Sequence, residues 1–231
     1  MGTKFQKYNI SDFQKISINC HIFNISIISS SNHDIELSWK DTVMRTLEIE
    51  KTEGILSITD RASVGIYGTL ALINLKKDAT LLVKIPSSFS GNLILQTKND
   101  KLYVADINIT GNIGVSSDSG EILLENICAN TLDVRGNIGK INCYSVSVEH
   151  QLNISARTSS INCIINGIPD DYSVYCESQN HRSSYPQNLT TGPHKVSVIN
   201  KTGIVRIQFQ NNSTIKKQHS YYNRHDSFKD W

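Results

Sequence analysis

Four segments in the middle of this 231-residue chain lie on top of one another at a near-constant step. Leu93, Ile113, Leu132 and Leu152 form one column, and Leu95, Val115, Val134 and Ile154 a second. Leu102, Ile122, Ile141 and Ile161 form a third, and Val104, Leu124, Cys143 and Cys163 a fourth. The steps are 20, 19 and 20 residues in every column. A short fixed period is the mark of a solenoid, in which each repeat buries its apolar side only against its neighbours.

Inside each repeat the apolar residues alternate with others. Leu93-x-Leu95, Leu102-x-Val104 and Ile107-x-Ile109 have a period of two, the spacing of a strand with one face inward. Turn formers separate the first two strands: Lys98-Asn99-Asp100, Asp118-Ser119-Gly120 and Gly136-Asn137-Ile138-Gly139. No stripe at helical spacing survives. The expected fold is therefore all-β. It is a single-stranded β-solenoid of 19–20-residue coils stacked about 4.8 Å apart, right-handed by the habit of parallel β connections. N-terminal strands precede the coils and a C-terminal capping strand pair closes them. Residues 1–12 lead into the first strand, residues 13–90 carry N-terminal strands continuous with the solenoid, and residues 91–168 are the regular coils. Residues 169–210 hold an irregular loop and the capping strands, and residues 211–231 a polar tail. The fourth coil weakens, because Asn166 falls where Ile107, Ile127 and Val146 stood.

Before the periodic block, strands are expected at Ile16-x-Ile18, Ile25-x-Ile27, Ile35-x-Leu37, Leu47-x-Ile49, Leu56-x-Ile58, Leu70-x-Leu72 and Leu81 to Ile85. Lys51-Thr52-Glu53-Gly54 reads as a hairpin loop. Pro86 ends its strand, since proline cannot donate to a ladder. After the block, Val196-x-Val198 and Val205-x-Ile207 restore strands around Lys201-Thr202-Gly203.

Between the inward columns, Lys101, Glu121, Lys140 and Ser160 stack, so charge sign alternates down the coils. Opposite charges on adjacent strands are mildly stabilising. Tyr103 and Tyr144 are the aromatic residues on the outward side of the block. Lys101, Tyr103, Glu121, Lys140 and Tyr144 together make the expected interaction face, set against the plainer reading of a solvated face.

The search for chemistry finds little. Net charge is +2, with no basic stripe, so no nucleic-acid partner is expected. No run of 18 apolar residues is present, and no membrane span is expected. Met1 to Ser11 lack the apolar stretch of a signal peptide. The chain as it stands is expected in the cytoplasm, or in the envelope or at the surface where a leader has been removed. Five cysteines at wide spacing make neither a disulfide framework nor a zinc site. Cys143 and Cys163 share an inward column and read as small buried hydrophobes. The seven histidines have no metal-ligand spacing, so no metal and no cofactor are expected. Asp118, Glu121, Glu125 and Asp133 are the densest acidic group. Glycan cleavage would need two carboxylates about 5–9.5 Å apart.

The opening strand pair around Ile16 to Leu37, the strand ending in Pro86, the turn Ser117-Asp118-Ser119-Gly120-Glu121-Ile122 and the closing Asn200-Lys201-Thr202-Gly203-Ile204-Val205-Arg206-Ile207 occur in one order. In that order the chain resembles the putative-adhesin family of bacterial β-strand-repeat proteins, a domain of unknown function. The resemblance covers about residues 13 to 209. It implies a bacterial origin, a β-solenoid and no catalytic residues. The third and fourth coils depart from the Ser-Gly-x-Ile turn with Ile138-Gly139-Lys140-Ile141 and Ser159-Ser160-Ile161. The functional expectation is a non-catalytic structural or interaction module that binds a protein or glycan through its faces. The alternatives are a self-assembling intracellular scaffold, with the chain as a homo-oligomer, and a polysaccharide lyase or hydrolase.

Overall fold

The structure, a computed structural model, describes residues 2–21, 23–40, 45–62, 79–179, 189–190 and 192–211. Among them there is no α-helix, and the strands join one sheet system that winds as stacked coils. Strand β8 (Asn92–Thr97) pairs in parallel with β10 (Asn112–Ser117), which pairs with residues 131–136 of the long strand β11 (Ile122–Asn166). That register aligns Leu93, Ile113 and Leu132, and Leu95, Val115 and Val134. On the second side of the coil, β9 (Leu102–Asn108) aligns Leu102 with Ile122 and Val104 with Leu124. No residue of the four columns is more than 2 % exposed. Each buried Leu, Ile or Val contributes about 1.5–3 kcal/mol of apolar burial. One coil could not gain this alone, because its inward side chains need the coils above and below.

The columns continue beyond the periodic block, but not in chain order. Strand β2 (Lys15–Cys20) lies between β6 (Ile55–Ala62) and β8, aligning Leu56, Ile16 and Leu93. Strand β3 (Asn24–Ser30) lies between β7 (Thr80–Pro86) and β9, aligning Leu81, Ile25 and Leu102. The first coil of the chain is thus the second coil in space. The other end repeats the device. Strand β14 (His194–Thr202) stacks on residues 151–158 and β15 (Val205–Gln210) on residues 161–166, while β12 (Tyr172–Ser178) lies outside β14. The expected capping pair is therefore a further parallel coil. Residues 172–178, within the 169–210 segment expected to hold an irregular loop and the capping strands, form the strand that covers it on one side. The cause is the alternation Tyr172-x-Val174-x-Cys176, which supplies three more inward side chains, each no more than 4 % exposed.

At the opposite end, antiparallel strands cover the open sheet. Strand β5 (Arg45–Thr52) folds back on β6. The two turn residues, Glu53 and Gly54, both have positive φ, 35° and 81°, the backbone whose twist suits a two-residue hairpin. Strand β4 (Asp34–Trp39) covers β7, and β1 (Lys4–Asn9) covers β4. Unpaired edges invite further strands, and here the edge positions pass from β6 and β7 to the antiparallel β5 and β1, which end the sheet order. The expected strand at Leu70-x-Leu72 and the polar tail from residue 212 lie outside the described residues.

One ion pair holds the outermost layer. Lys7 Nζ sits 2.8 Å from Glu36 Oε1, and Asn32 Nδ2 donates to the same oxygen at 3.0 Å. The hydrogen bond from Lys7 lowers the pKa of Glu36 against the opposing effect of burial, with help from the Lys7 charge, Asn32 and Lys84. A carboxyl whose pKa falls on folding stabilises the fold above its unfolded pKa. That contribution is lost as pH falls through the lower, folded value. Glu36→Gln is therefore expected to lower stability at neutral pH, with the gap to the parent closing in acid. Urea melts across the acid range check this.

A backbone ladder explains the weak fourth coil. Asp106, Asn126 and Ser145 all adopt left-handed backbone, with φ of 56°, 53° and 58°. Each turns the chain into the short third segment that begins at Ile107, Ile127 or Val146. Asn126 Nδ2 donates to Asp106 Oδ1 at 2.8 Å along this ladder. The fourth coil has Ile165 at this position, and a β-branched residue is disfavoured there. The chain instead stays extended through a fully buried Ile165 to Asn166, and turns at Gly167 with φ 123°. Asn166 compensates as a polar hub: its Oδ1 accepts from Ser145 Oγ and Gln210 Nε2, and its Nδ2 donates to Ser147 Oγ.

Cys143 and Cys163 are fully buried without a bridge. The neighbouring Cys143 side chain and burial hold the Cys163 thiol well above the usual thiol range.

Candidate functional site: outward faces and a corner groove

The expected interaction face runs down the outward side of β9 and β11. Lys101 Nζ stands 3.9 Å from Glu121 Oε2, so the upper half of the alternating ladder forms. The other Glu121 oxygen accepts from Asn142 Nδ2 at 3.2 Å, and Lys140 is exposed with no ion pair among the described residues. Tyr103 and Tyr144 do not stack: Tyr103 faces Leu123 and Tyr144 belongs to the next column, beyond Glu125. The Tyr103 hydroxyl donates to Glu125 Oε2 at 2.8 Å, and Asn162 Nδ2 reaches the Tyr144 hydroxyl at 3.5 Å. Burial, then the Glu125 carboxylate, push the Tyr103 phenol far above its ordinary value. Four of the five residues are thus bonded along the ladder, which leaves few free groups for a ligand.

A different part of the surface is hollow. Where the first strand of each coil meets its corner, a shallow groove of about 450 Å³ opens across four coils. Ser116 and Asp118 come from one coil, Arg135 and Asn137 from the next, Ser155 and Arg157 from the third, and Ile199 and Lys201 from β14. A smaller hollow of about 220 Å³ continues it towards Asp133, Asn153 and Ser197. There Asn153 Nδ2 donates to Asp133 Oδ1 at 2.7 Å. Sequence spacing could have brought Asp118, Asn137 and Arg157 together, at steps of 19 and 20. Lys201 had no such signal, because its strand joins the stack 44 residues late, Leu152 facing Val196.

The four acidic residues singled out from the sequence do not form a pair. Glu121 is bonded to Lys101 and Asn142, Glu125 to Tyr103 and Asp133 to Asn153. Glu121 and Glu125 lie four residues apart along an extended chain, about 13 Å, beyond the separation glycan hydrolysis uses. Asp118 sits apart in the groove. Among the described residues, no group of three His, Cys, Asp or Glu side chains is placed to hold a metal ion. No helix among them is long and apolar enough to cross a membrane.

Residues 13–168 match the family model described as Toastrack DUF4097. The chain belongs to this family. The match starts at Phe13, just before the first inward strand, and ends where Gly167 closes the fourth coil. Toastrack DUF4097 is the domain of unknown function that the stacked strands and Ser-Gly-x-Ile turn suggested. No curated protein matches the chain. Among solved structures, the chain is similar to a putative cell adhesion protein from Clostridium sporogenes, at 10 % identity, 90 % of this chain, 99 % of that chain and a TM-score of 0.49. It is also similar to a putative adhesin from Bacteroides fragilis, at 14 % identity, 90 % and 97 % coverage and a TM-score of 0.33. A third, a putative adhesin from Parabacteroides merdae, shares 13 % identity over 90 % of this chain and 92 % of its own, with a TM-score of 0.36.

Proposed function

We propose that this Toastrack protein is a non-catalytic bacterial interaction module that binds a glycan or protein partner through the outward faces of its solenoid. The observation that carries this reading is the groove built from four successive coils, each contributing outward side chains to one continuous surface. A rigid stack holds such side chains at a fixed repeat of about 4.8 Å, which suits a long, repetitive partner. The dispersed and hydrogen-bonded carboxylates support the non-catalytic part. The reading takes the coils as right-handed, the hand that parallel β connections adopt.

The test is a panel of immobilised bacterial and host-type glycans and surface proteins, probed with the whole chain, with polysaccharide turnover measured in parallel. Saturable binding without turnover is expected. Depolymerisation of any polysaccharide that is lost in Glu121→Gln or Asp118→Asn would replace this reading with an enzyme. Absence of binding across the panel would remove it.

A further inference from the structure

We infer that the corner groove is a binding site for an acidic polysaccharide, held by Arg135, Arg157 and Lys201. The inference rests on the reading of the chain as an interaction module and names the ligand class of one of its surfaces.

The charge arrangement motivates it. Across the whole chain 23 basic residues nearly balance 21 acidic ones, yet the groove gathers three cations against one acid, Asp118. Three cations elsewhere sit beside acids, Lys7 with Glu36, Arg61 with Glu48 and Lys101 with Glu121. Lys140 and Arg206 are isolated single cations among the described residues, whereas the groove brings three together. Arg135, Arg157 and Lys201 are exposed and take part in no salt bridge among the described residues. Their register makes this costly. Ala156 pairs with Asn200 and Thr158 with Thr202, so Arg157 stands opposite Lys201 on the neighbouring strand. Like charges directly opposite on adjacent strands repel. A bound polyanion would relieve this repulsion.

The remaining lining fits a sugar chain. Ser116, Ser155 and Asn137 offer hydroxyl and amide groups to ring substituents, and Ile199, 40 % exposed, offers an apolar surface to a ring face. The groove is open along the stack rather than enclosed, so it suits an extended chain more than a small anion. Among the described residues, none that lines it is aromatic. Base stacking, which anchors single-stranded nucleic acid, is therefore not available there, and affinity for a neutral glycan would lack its usual platform. Attraction rests on charge and falls with added salt. Carboxylated and sulfated glycans share the recognised chemistry, an anionic group repeated along a polymer.

The experiment measures binding of the full chain to polygalacturonate, dextran sulfate, neutral dextran and a single-stranded oligonucleotide, at low and high salt. Binding is expected for one or both acidic glycans and not for dextran or the oligonucleotide, and it weakens with salt. Arg135→Ala and Arg157→Ala should each weaken it about tenfold, the loss of one charge-assisted contact. Asp118→Asn should strengthen it. Arg206→Ala removes an exposed cation on β15, away from the groove, and should change nothing; thermal melts confirm that every variant is folded. Equal loss in Arg206→Ala, equal binding of the oligonucleotide, or unchanged binding in both groove variants would overturn the inference. A neutral glycan or protein partner found in the panel, with no acidic glycan bound, overturns it while the interaction reading stands. No partner of any kind ends both.

Discussion

Ile122→Asp is expected to leave no cooperatively folded protein at room temperature. Ile122 is fully buried, aligned with Leu102 in the coil beneath. The substitution removes about 3 kcal/mol of apolar burial and places a carboxyl where no donor faces it. A buried polar group without a partner costs several kcal/mol more, and an ionised one costs more again. The sum is comparable to the roughly 5–15 kcal/mol that holds a typical domain together. The damage cannot stay local, because the same column is shared by the coils on either side. Leu123→Asp is the matched control: its side chain points outward beside Tyr103 and is partly exposed, so it should melt within about 1 kcal/mol of the parent. Circular dichroism and urea melts decide between them. A folded Ile122→Asp beside an unfolded Leu123→Asp would mean that the inward and outward sets are exchanged, as a one-residue slip would produce.

Gly120→Ala should cost about 3 kcal/mol, large for the addition of one methyl group. A Cβ at Gly120 would lie 1.9 Å from the carbonyl oxygen of Asp100 in the coil beneath, and that atom is backbone, which cannot swing aside. The same corner is crowded further along the stack. A Cβ at Gly139 would meet the Gly120 oxygen at 2.5 Å, and one at Gly203 the Ser159 oxygen at 2.1 Å. Corners must approach this closely because the strands they join are only about 4.8 Å apart. Gly114 provides the contrast: a Cβ there meets nothing nearer than the Leu93 oxygen, at 4.0 Å, on an open outward face. Gly114→Ala should therefore be neutral or stabilise by up to about 1 kcal/mol, through the lost freedom of the unfolded chain. Equal midpoints for the Gly120 and Gly114 variants in urea would show that corner crowding does not limit the stack.

The coils were readable wherever successive turns of the solenoid are also successive in the chain. There a constant step of 19 or 20 residues marks every inward position, and Ile16, Ile25, Leu56 and Leu81 were readable as strand residues by alternation. Their place in the stack was not readable, since the step from Ile16 to its neighbour Leu93 spans two intervening hairpin layers. Lys101, Tyr103, Glu121, Lys140 and Tyr144 lie on the outward side that alternation assigns them, but the hydrogen bonds there to Glu125, Asn142 and Asn162 depend on diagonal contacts that spacing does not display. The groove was hidden for the same reason as the late coils: Lys201 meets Arg157 only after β12 has been placed outside β14.

The sequence alone determined the all-β character, the inward register and the corners, because strand alternation and turn chemistry are local and the repeat makes them periodic. Only the tertiary structure decided which coil stacks on which at the two ends, and therefore which charges meet. Parallel ladders reward any strand of matching alternation and carry no record of its distance along the chain.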